Sequence, residues 1–493
     1  MAVDLPPALP PLAQSPDLLT RSAVAVTVPH RGDSLQIMSE LPLSGAEIRA
    51  AIAPAASLEE ALALLTRAYR ANGYPGAQLL YARQGSEVWV QVVPGRLRET
   101  QVDRPLTPYF ADLPGESALR DRELEPRRIL ASLHADRAGL QAVARLHPDD
   151  AGNLRLIVDT ERGAAPTRLA WTIDNTGQRY STSELMTAVD FATGTGRGDE
   201  FGIGAHIGLD HPGDDEYAAH RLTWNRVTPW GLFGVGARHT RYVQTDRAQI
   251  DEGRFWTGEL NWLMPLYADF QSRWGVKLQV DRSQFTHRIS SLDQPEQLYT
   301  SGEIATQYHR RFSLLDLQWR FDGSLALRQG LNDERLPAAT LDYQLLRPSA
   351  RLVLDLGDGR AFTVEARAQL SDDRLPAQEQ WVLGGRENLQ TQRHGVVVGD
   401  EGSLMRVSGD LGRYQWREFA VQPHVFAERG RAQPDGAPER PQLSSAGAGL
   451  RVAAWGWLSA DLVYAERLDE RGIPQRVLDE TETPWWFSLR AAF

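Results

Sequence analysis

Among the histidines after residue 163, His206, His220, His239, His287, His309, His394 and His424 are the side chains best able to hold a metal or move a proton near neutral pH, and they stand as scattered singles. No His-x-x-x-His pair with an acidic partner, no Gly-x-Ser-x-Gly elbow and no phosphate loop accompanies them. Metal, nucleophilic and phosphoryl chemistry all need several groups brought to one point. Nothing in this spacing brings them together. With no cysteine, thiolate chemistry is excluded outright. The expectation is a protein that is no enzyme, with no catalytic residue, no metal and no cofactor. A net charge of -11 also argues against nucleic acid, whose phosphates need a basic face.

The residues left over must serve recognition or passage, and the elements that carry them have two textures. The 493 residues are too many for one ordinary domain. At 42% hydrophobic and 24% charged, the composition is that of many water-soluble proteins. No window approaches the roughly 18 apolar residues that a membrane helix requires. A membrane role is open only to a closed β-barrel, which satisfies its backbone without a long apolar run. Met1-Ala2-Val3-Asp4 has neither a basic start nor an apolar core, so no signal peptide is expected in this chain.

Residues 1–21 are proline-rich and are expected to form an extended linker. From about residue 22 the order is strand, helix, helix, strand, strand. Ser57-Leu-Glu-Glu60 is a capping-box pattern, and Leu58, Leu62, Leu65 and Tyr69 follow at helical spacing until Asn72-Gly73. Strands are expected at Ala77–Arg83 and Glu87–Val93. The order repeats after Pro94-Gly95-Arg96, with a helix from Asp121 and strands at Leu140–His147 and Leu154–Asp159. The expected domains are a first α/β unit over 22–97 and a second over 98–163.

From about residue 164 to the end, period-two segments dominate. Phe201–Leu209, Trp274–Val280, Leu315–Phe321 and Phe362–Leu370 each alternate apolar residues with small or charged ones. Such a strand has one face for lipid or core and one for water. The end of the chain favours lipid: positions 485, 487, 489, 491 and 493 are all apolar, and the last is Phe493. At about 20 residues per strand with its connection, the region makes roughly 16 strands.

Two strand–helix–helix–strand–strand units ahead of such a barrel resemble the two-partner secretion transporters of the haemolysin secretion/activation type, in the superfamily of the barrel-assembly insertases. "LTRAYRANGYPGAQLLYARQGSEVWVQVVPGRL" (65–97) and "AVARLHPDDAGNLRLIVDTERG" (142–163) are similar to parts of that family's polypeptide-transport-associated (POTRA) domains. "TIDNTGQRYSTSEL" (172–185) resembles its first barrel strand and turn, "WVLGGRENLQTQRHGVVVGDEGSLMRVSGDL" (381–411) its long sixth loop, and "VFAERG" (425–430) its wall motif. The implied fold is two small α/β POTRA domains followed by a 16-stranded antiparallel transmembrane β-barrel, with the loop folded inward near 384–402.

The resemblance implies an anchor for that loop and a site for a partner. The anchor set is Gly384, Gly385, Gln390 and Arg393 on the loop with Phe426, Glu428 and Gly430 on the wall. The family arginine position falls ungapped on Gln390; Arg393 lies three residues later, and Glu428 replaces an aspartate. An ion pair of Arg393 with Glu428 is expected to pin the loop. On the first POTRA unit, Tyr69, Tyr74, Gln78, Leu80 and Arg83 are candidates to bind an exported partner, by strand addition along Gln78–Gln84. The implied setting is the outer membrane of a Gram-negative bacterium with the POTRA units in the periplasm. The implied partners are a secreted protein with a β-helical secretion domain, the bilayer, and the barrel-assembly machinery through Phe493, and the chain is expected to be a monomer. An assembly factor of the same superfamily or a diffusion pore are the other readings the pattern allows.

Overall fold

The structure, a computed structural model, describes residues 8–16, 19, 26–149, 153–175, 185–209, 215–246, 249–335, 343–385, 388–433 and 440–493. Most of the stretch 172–185 lies outside them.

The first unit is built from β2 (Val26–His30), β3 (Asp33–Ser39), α1 (Gly45–Ile52), α2 (Leu58–Ala71), β4 (Gln78–Gln84) and β5 (Glu87–Val93). Ser57 caps α2 by accepting the Glu60 N–H, and Ala61, Leu62, Leu65 and Tyr69 turn its apolar stripe onto the sheet. In the sheet β3 runs parallel to β5, and β4 pairs antiparallel with β5. The second unit repeats this arrangement with β6 (Arg96–Val102), a 3-10 turn at Thr107–Tyr109, α3 (Asp121–Arg137), β7 (Leu140–Pro148) and β8 (Asn153–Arg162). Here β6 is parallel to β8, with β7 antiparallel beside it. Arg96 and Leu97, assigned above to the first unit, belong to the second sheet.

The proline-rich start is more than a linker. Its residues Leu12–Ala13 form β1, which pairs parallel with β4 at Leu12↔Leu80 and Ala13↔Tyr81. Pro10 and Pro11 lack N–H donors, which keeps the strand short.

Sixteen antiparallel strands, from Thr167–Asp174 to Trp485–Ala492, form a closed barrel, and strand 16 pairs with strand 1 from Ser488↔Asp174 to Ala492↔Ala170. At one end, beside the α/β units, the connections are tight. Leu315 and Asp316 form one of these turns, both with positive φ, so strand 9 begins at Leu317 and not at Leu315. Longer loops lie at the opposite, distal end. Ile203, Leu222, Leu260, Leu278, Val280 and Phe362 are exposed on the outer face. An apolar belt of this extent has no place in water and matches the hydrocarbon of a bilayer. Among the described residues no helix is long and apolar enough to cross a membrane; the crossing is by strands.

Facing follows the alternation. On strand 11 (Arg360–Gln369) Thr363 is buried, Glu365 and Arg367 line the interior, and Phe362 and Ala366 face out, which puts Val364 on the outer face. Val364→Arg is expected to cost about 2–4 kcal/mol at the bilayer midplane, less near an interface, and Thr363→Arg clearly less. Equilibrium unfolding of both variants in bilayers checks this; equal destabilisation would refute the facing.

Candidate functional site: the lumen and its inward loop

The interior holds a cavity of about 1540 Å³. Both charge signs line it, among them Arg273, Arg351, Arg451, Asp190, Asp322 and Asp461. The wall that matters most is strand 13 (Phe419–Gln433). Its residues His424, Phe426, Glu428, Gly430 and Ala432 are buried and inward, whereas Val425, Ala427, Arg429 and Arg431 alternate outward. The period-two backbone alone delivers that row.

Glu428 is the centre of the anchor, and Arg393 is not its cation. Arg406 on strand 12 (Glu401–Leu411) lies directly across the ladder from Glu428 and contacts Oε2 with Nε at 2.8 Å and Nη2 at 2.6 Å. Ser445 on strand 14 (Gln442–Ala454), opposite on the other side, donates to Oε1 at 2.9 Å. The loop reaches this carboxylate with its backbone: the Gln390 N–H donates to Oε1 at 2.5 Å. The expected Arg393–Glu428 pair is therefore replaced by an Arg406–Glu428 wall pair that offers a charged acceptor to a peptide N–H. The reason is register. Arg406 is preorganised by the sheet, while Arg393 lies past the tip, where its own N–H donates to Thr481 O at 2.7 Å. The ungapped position, Gln390, is the one that meets Glu428.

The rest of the set holds the tip in place. The Trp486 indole N–H of strand 16 donates to Gln390 O. Trp486 packs with Phe426, Val463 and Ala465. Thr483 N–H donates to Thr391 O at 2.9 Å, and Thr481 of helix α4 (Gln475–Thr481) donates to the Gln392 side chain at 2.5 Å. Gln390 is 9% exposed, Thr391 1% and Gln392 0%, so the tip is interior. Gly430 has no Cβ because Leu383 and Leu389 of the loop occupy that space, each at 2.8 Å from where it would lie. Gly384 adopts φ +91, and a Cβ there would fall 2.0 Å from Arg393 O. Leu383, Leu389 and Val396 form a small core with Leu404, Leu443 and Leu478.

A second anchor, which the sequence reading missed, holds the loop's near limb. Arg328 of strand 9 (Leu317–Arg335) makes a fork to Asp281 of strand 7 (Ser272–Ile289) at 2.8 and 2.7 Å, and its Nη2 also reaches Glu379 Oε1 at 2.7 Å. Arg347 of strand 10 (Gln344–Gly357) contacts the other Glu379 oxygen at 3.1 Å. Gln369 donates to the backbone oxygens of both Glu379 and Asp400, stitching the two limbs together. Inward parity marks Arg328 and Asp281 as lumen residues; their meeting across two ladders and a loop has no signal in the sequence.

The proximal mouth is covered by α3, whose Ile129, Leu130 and Leu133 line the cavity. Its end is bound to barrel turns: Arg137 donates to Gly198 O at 2.9 Å, and Tyr109 OH contacts His134 Nδ1 at 2.9 Å and Val227 O at 3.2 Å. Burial pushes the Tyr109 hydroxyl up to about 12 and lowers the His134 imidazole, with Arg137 adding to the latter. The residues expected to bind a partner fare unequally. Tyr69 and Tyr74 are 0% and 2% exposed, and the Arg120 guanidinium covers the Tyr74 ring at 3.9 Å, so both are core. Gln78 is buried too; Arg83 pairs with Asp33 at 2.8 Å, and Leu80 pairs with β1.

The family model for haemolysin secretion/activation protein ShlB/FhaC/HecB matches residues 152–452, more than half of the chain. No curated protein matches in sequence. CdiB from Escherichia coli is similar in structure at 16% identity, covering 97% of this chain and 93% of that one with a TM-score of 0.71. CdiB from Acinetobacter baumannii is similar at 13% identity, covering 99% and 95% with a TM-score of 0.68. BamA from Haemophilus ducreyi lacking POTRA domains 1-3 is similar at 9% identity, covering 88% and 93% with a TM-score of 0.50. The chain belongs to the haemolysin secretion/activation protein family ShlB/FhaC/HecB, as an outer-membrane β-barrel transporter of the two-partner secretion type.

Proposed function

We propose that this transporter takes an unfolded exported protein from the periplasm, recognises it on the POTRA units and passes it through the lumen to the cell surface. The observation that carries the reading is a charged lumen with two obstructions: α3 across the proximal mouth and the pinned sixth loop within. A permanent diffusion pore gains nothing from burying a loop on ionic anchors. A gate does, because the pins hold it shut until a client displaces it. The lining of both signs offers no strong field for one ion type, which suits a polypeptide of mixed charge. The tight turns and α3 then face the periplasm, and the long loops face outward. Phe493, at the proximal end of strand 16, is placed to be read by the assembly machinery.

The test is secretion of a candidate partner, a large exported protein with a β-helical secretion domain, expressed with and without this chain. We expect surface delivery only with the transporter present, and periplasmic accumulation without it. A general loss of outer-membrane proteins in the deletion strain, with secretion of that protein untouched, would instead indicate an assembly factor.

A further inference from the structure

The edge of the first POTRA sheet that would accept a partner strand is already occupied by the chain itself. β1 pairs with only two of the seven residues of β4, and Gln14 N–H adds one bond to Tyr81 O at 2.8 Å. Three residues before Leu12, Leu9 is 6% exposed and belongs to the apolar cluster of the second POTRA unit. The segment is thus a strap, with a side chain seated in one unit and a short ladder on the other. Its construction is that of a replaceable strand. Pro10 and Pro11 cannot donate to a ladder, and Leu12 itself is 39% exposed. An incoming segment without proline can bond along more of β4.

We propose that residues 9–14 are a resident strand that holds the β4 edge closed, and that an extended segment of the exported partner binds by displacing it. The segment it selects runs parallel to β4 and carries a large aliphatic residue three positions before the ladder, to fill the Leu9 seat. The inference rests on the reading that the POTRA units recognise the partner. It adds that recognition requires strand exchange, so that an idle transporter hides its edge.

Because the chain has no cysteine, Leu12→Cys with Leu80→Cys creates a single possible disulfide between paired positions. The probe is a fluorescein-labelled peptide with the sequence of residues 8–16, titrated against the full-length protein in detergent. It should bind Leu9→Asp, whose resident strand has lost its buried seat, at least tenfold more tightly than the unchanged chain. It should bind the oxidised lock at least tenfold more weakly than the reduced form of the same variant. No binding to Leu9→Asp, or equal binding to the oxidised and reduced lock, overturns the proposal. In cells, an oxidised lock should cut secretion at least tenfold at unchanged barrel abundance, with recovery on adding reductant; normal secretion through a fully oxidised lock also overturns it. Failure of the recognition reading looks different: the partner's N-terminal region would bind neither state of the lock, while the peptide still distinguished them.

Discussion

Glu428→Gln is expected to release the tip of the sixth loop and to turn a closed barrel into one that conducts. Glu428 is 4% exposed and receives Arg406, Ser445 and the Gln390 N–H. Removing its charge breaks the Arg406–Glu428 pair from one side, at a cost of about 3–5 kcal/mol for a buried pair of this kind. It also weakens the carboxylate that accepts the Gln390 N–H. Because that contact is made by the backbone, the side chain at 390 matters little: Gln390→Ala should secrete nearly normally, and Gln390→Pro, which has no N–H, should behave like Glu428→Gln. The exchange Arg406→Glu with Glu428→Arg restores opposite charges on the wall but offers the loop a donor where it needs an acceptor. It should recover the heat stability of the barrel and not the closed state. Single-channel conductance in planar bilayers, with unboiled gel migration as the measure of folding, separates the two. A fully closed exchange variant, or a damaging Gln390→Ala, would refute a backbone anchor.

The wall was legible in the sequence and its partners were not, for a physical reason. The resemblance at 425–430 marked the wall strand, and period two fixes which residues of 424–432 turn inward once that strand is in place. What alternation cannot supply is register between strands. Arg406 meets Glu428 only because strands 12 and 13 pair with that offset, and a shift of two residues would have kept every facing while changing the pair. The same gap explains Arg393: counted along the chain it was the nearest cation to the tip, but the tip closes on α4. In the POTRA units the capping box and the apolar stripe placed α2 within a residue. Tyr69 belongs to that stripe, and its helical spacing with Leu62 and Leu65 points to the core in which it lies. The strap at Leu9–Gln14 left no such trace, since a proline-rich stretch has no period from which a two-residue strand could be read.

The second anchor should fail in a different way from the first. In Glu379→Ala the wall keeps its own pairing. Arg328 retains the fork to Asp281, and Arg347 retains Gln369 at 2.8 Å. No buried cation is abandoned, so barrel stability should fall by less than about 2 kcal/mol, within the ordinary range of a lost charged hydrogen bond. The loop, however, loses the grip on its near limb while its tip stays on Glu428. Arg328→Ala reverses the situation. It leaves Asp281 and Glu379, at 3% and 5% exposure, facing each other without their shared cation. That should cost about 3–5 kcal/mol and show as reduced barrel assembly. The two pins act on one loop, so their effects on closure should not add. With one pin intact the loop samples the open state rarely; with both gone nothing in the lumen holds it. Glu379→Ala alone should therefore raise conductance events only slightly, and Glu379→Ala with Glu428→Gln should give many more than the sum of the single variants. If Glu379→Ala alone opens the channel as fully as the double variant does, the tip contact is a consequence of the limb anchor and not an independent pin.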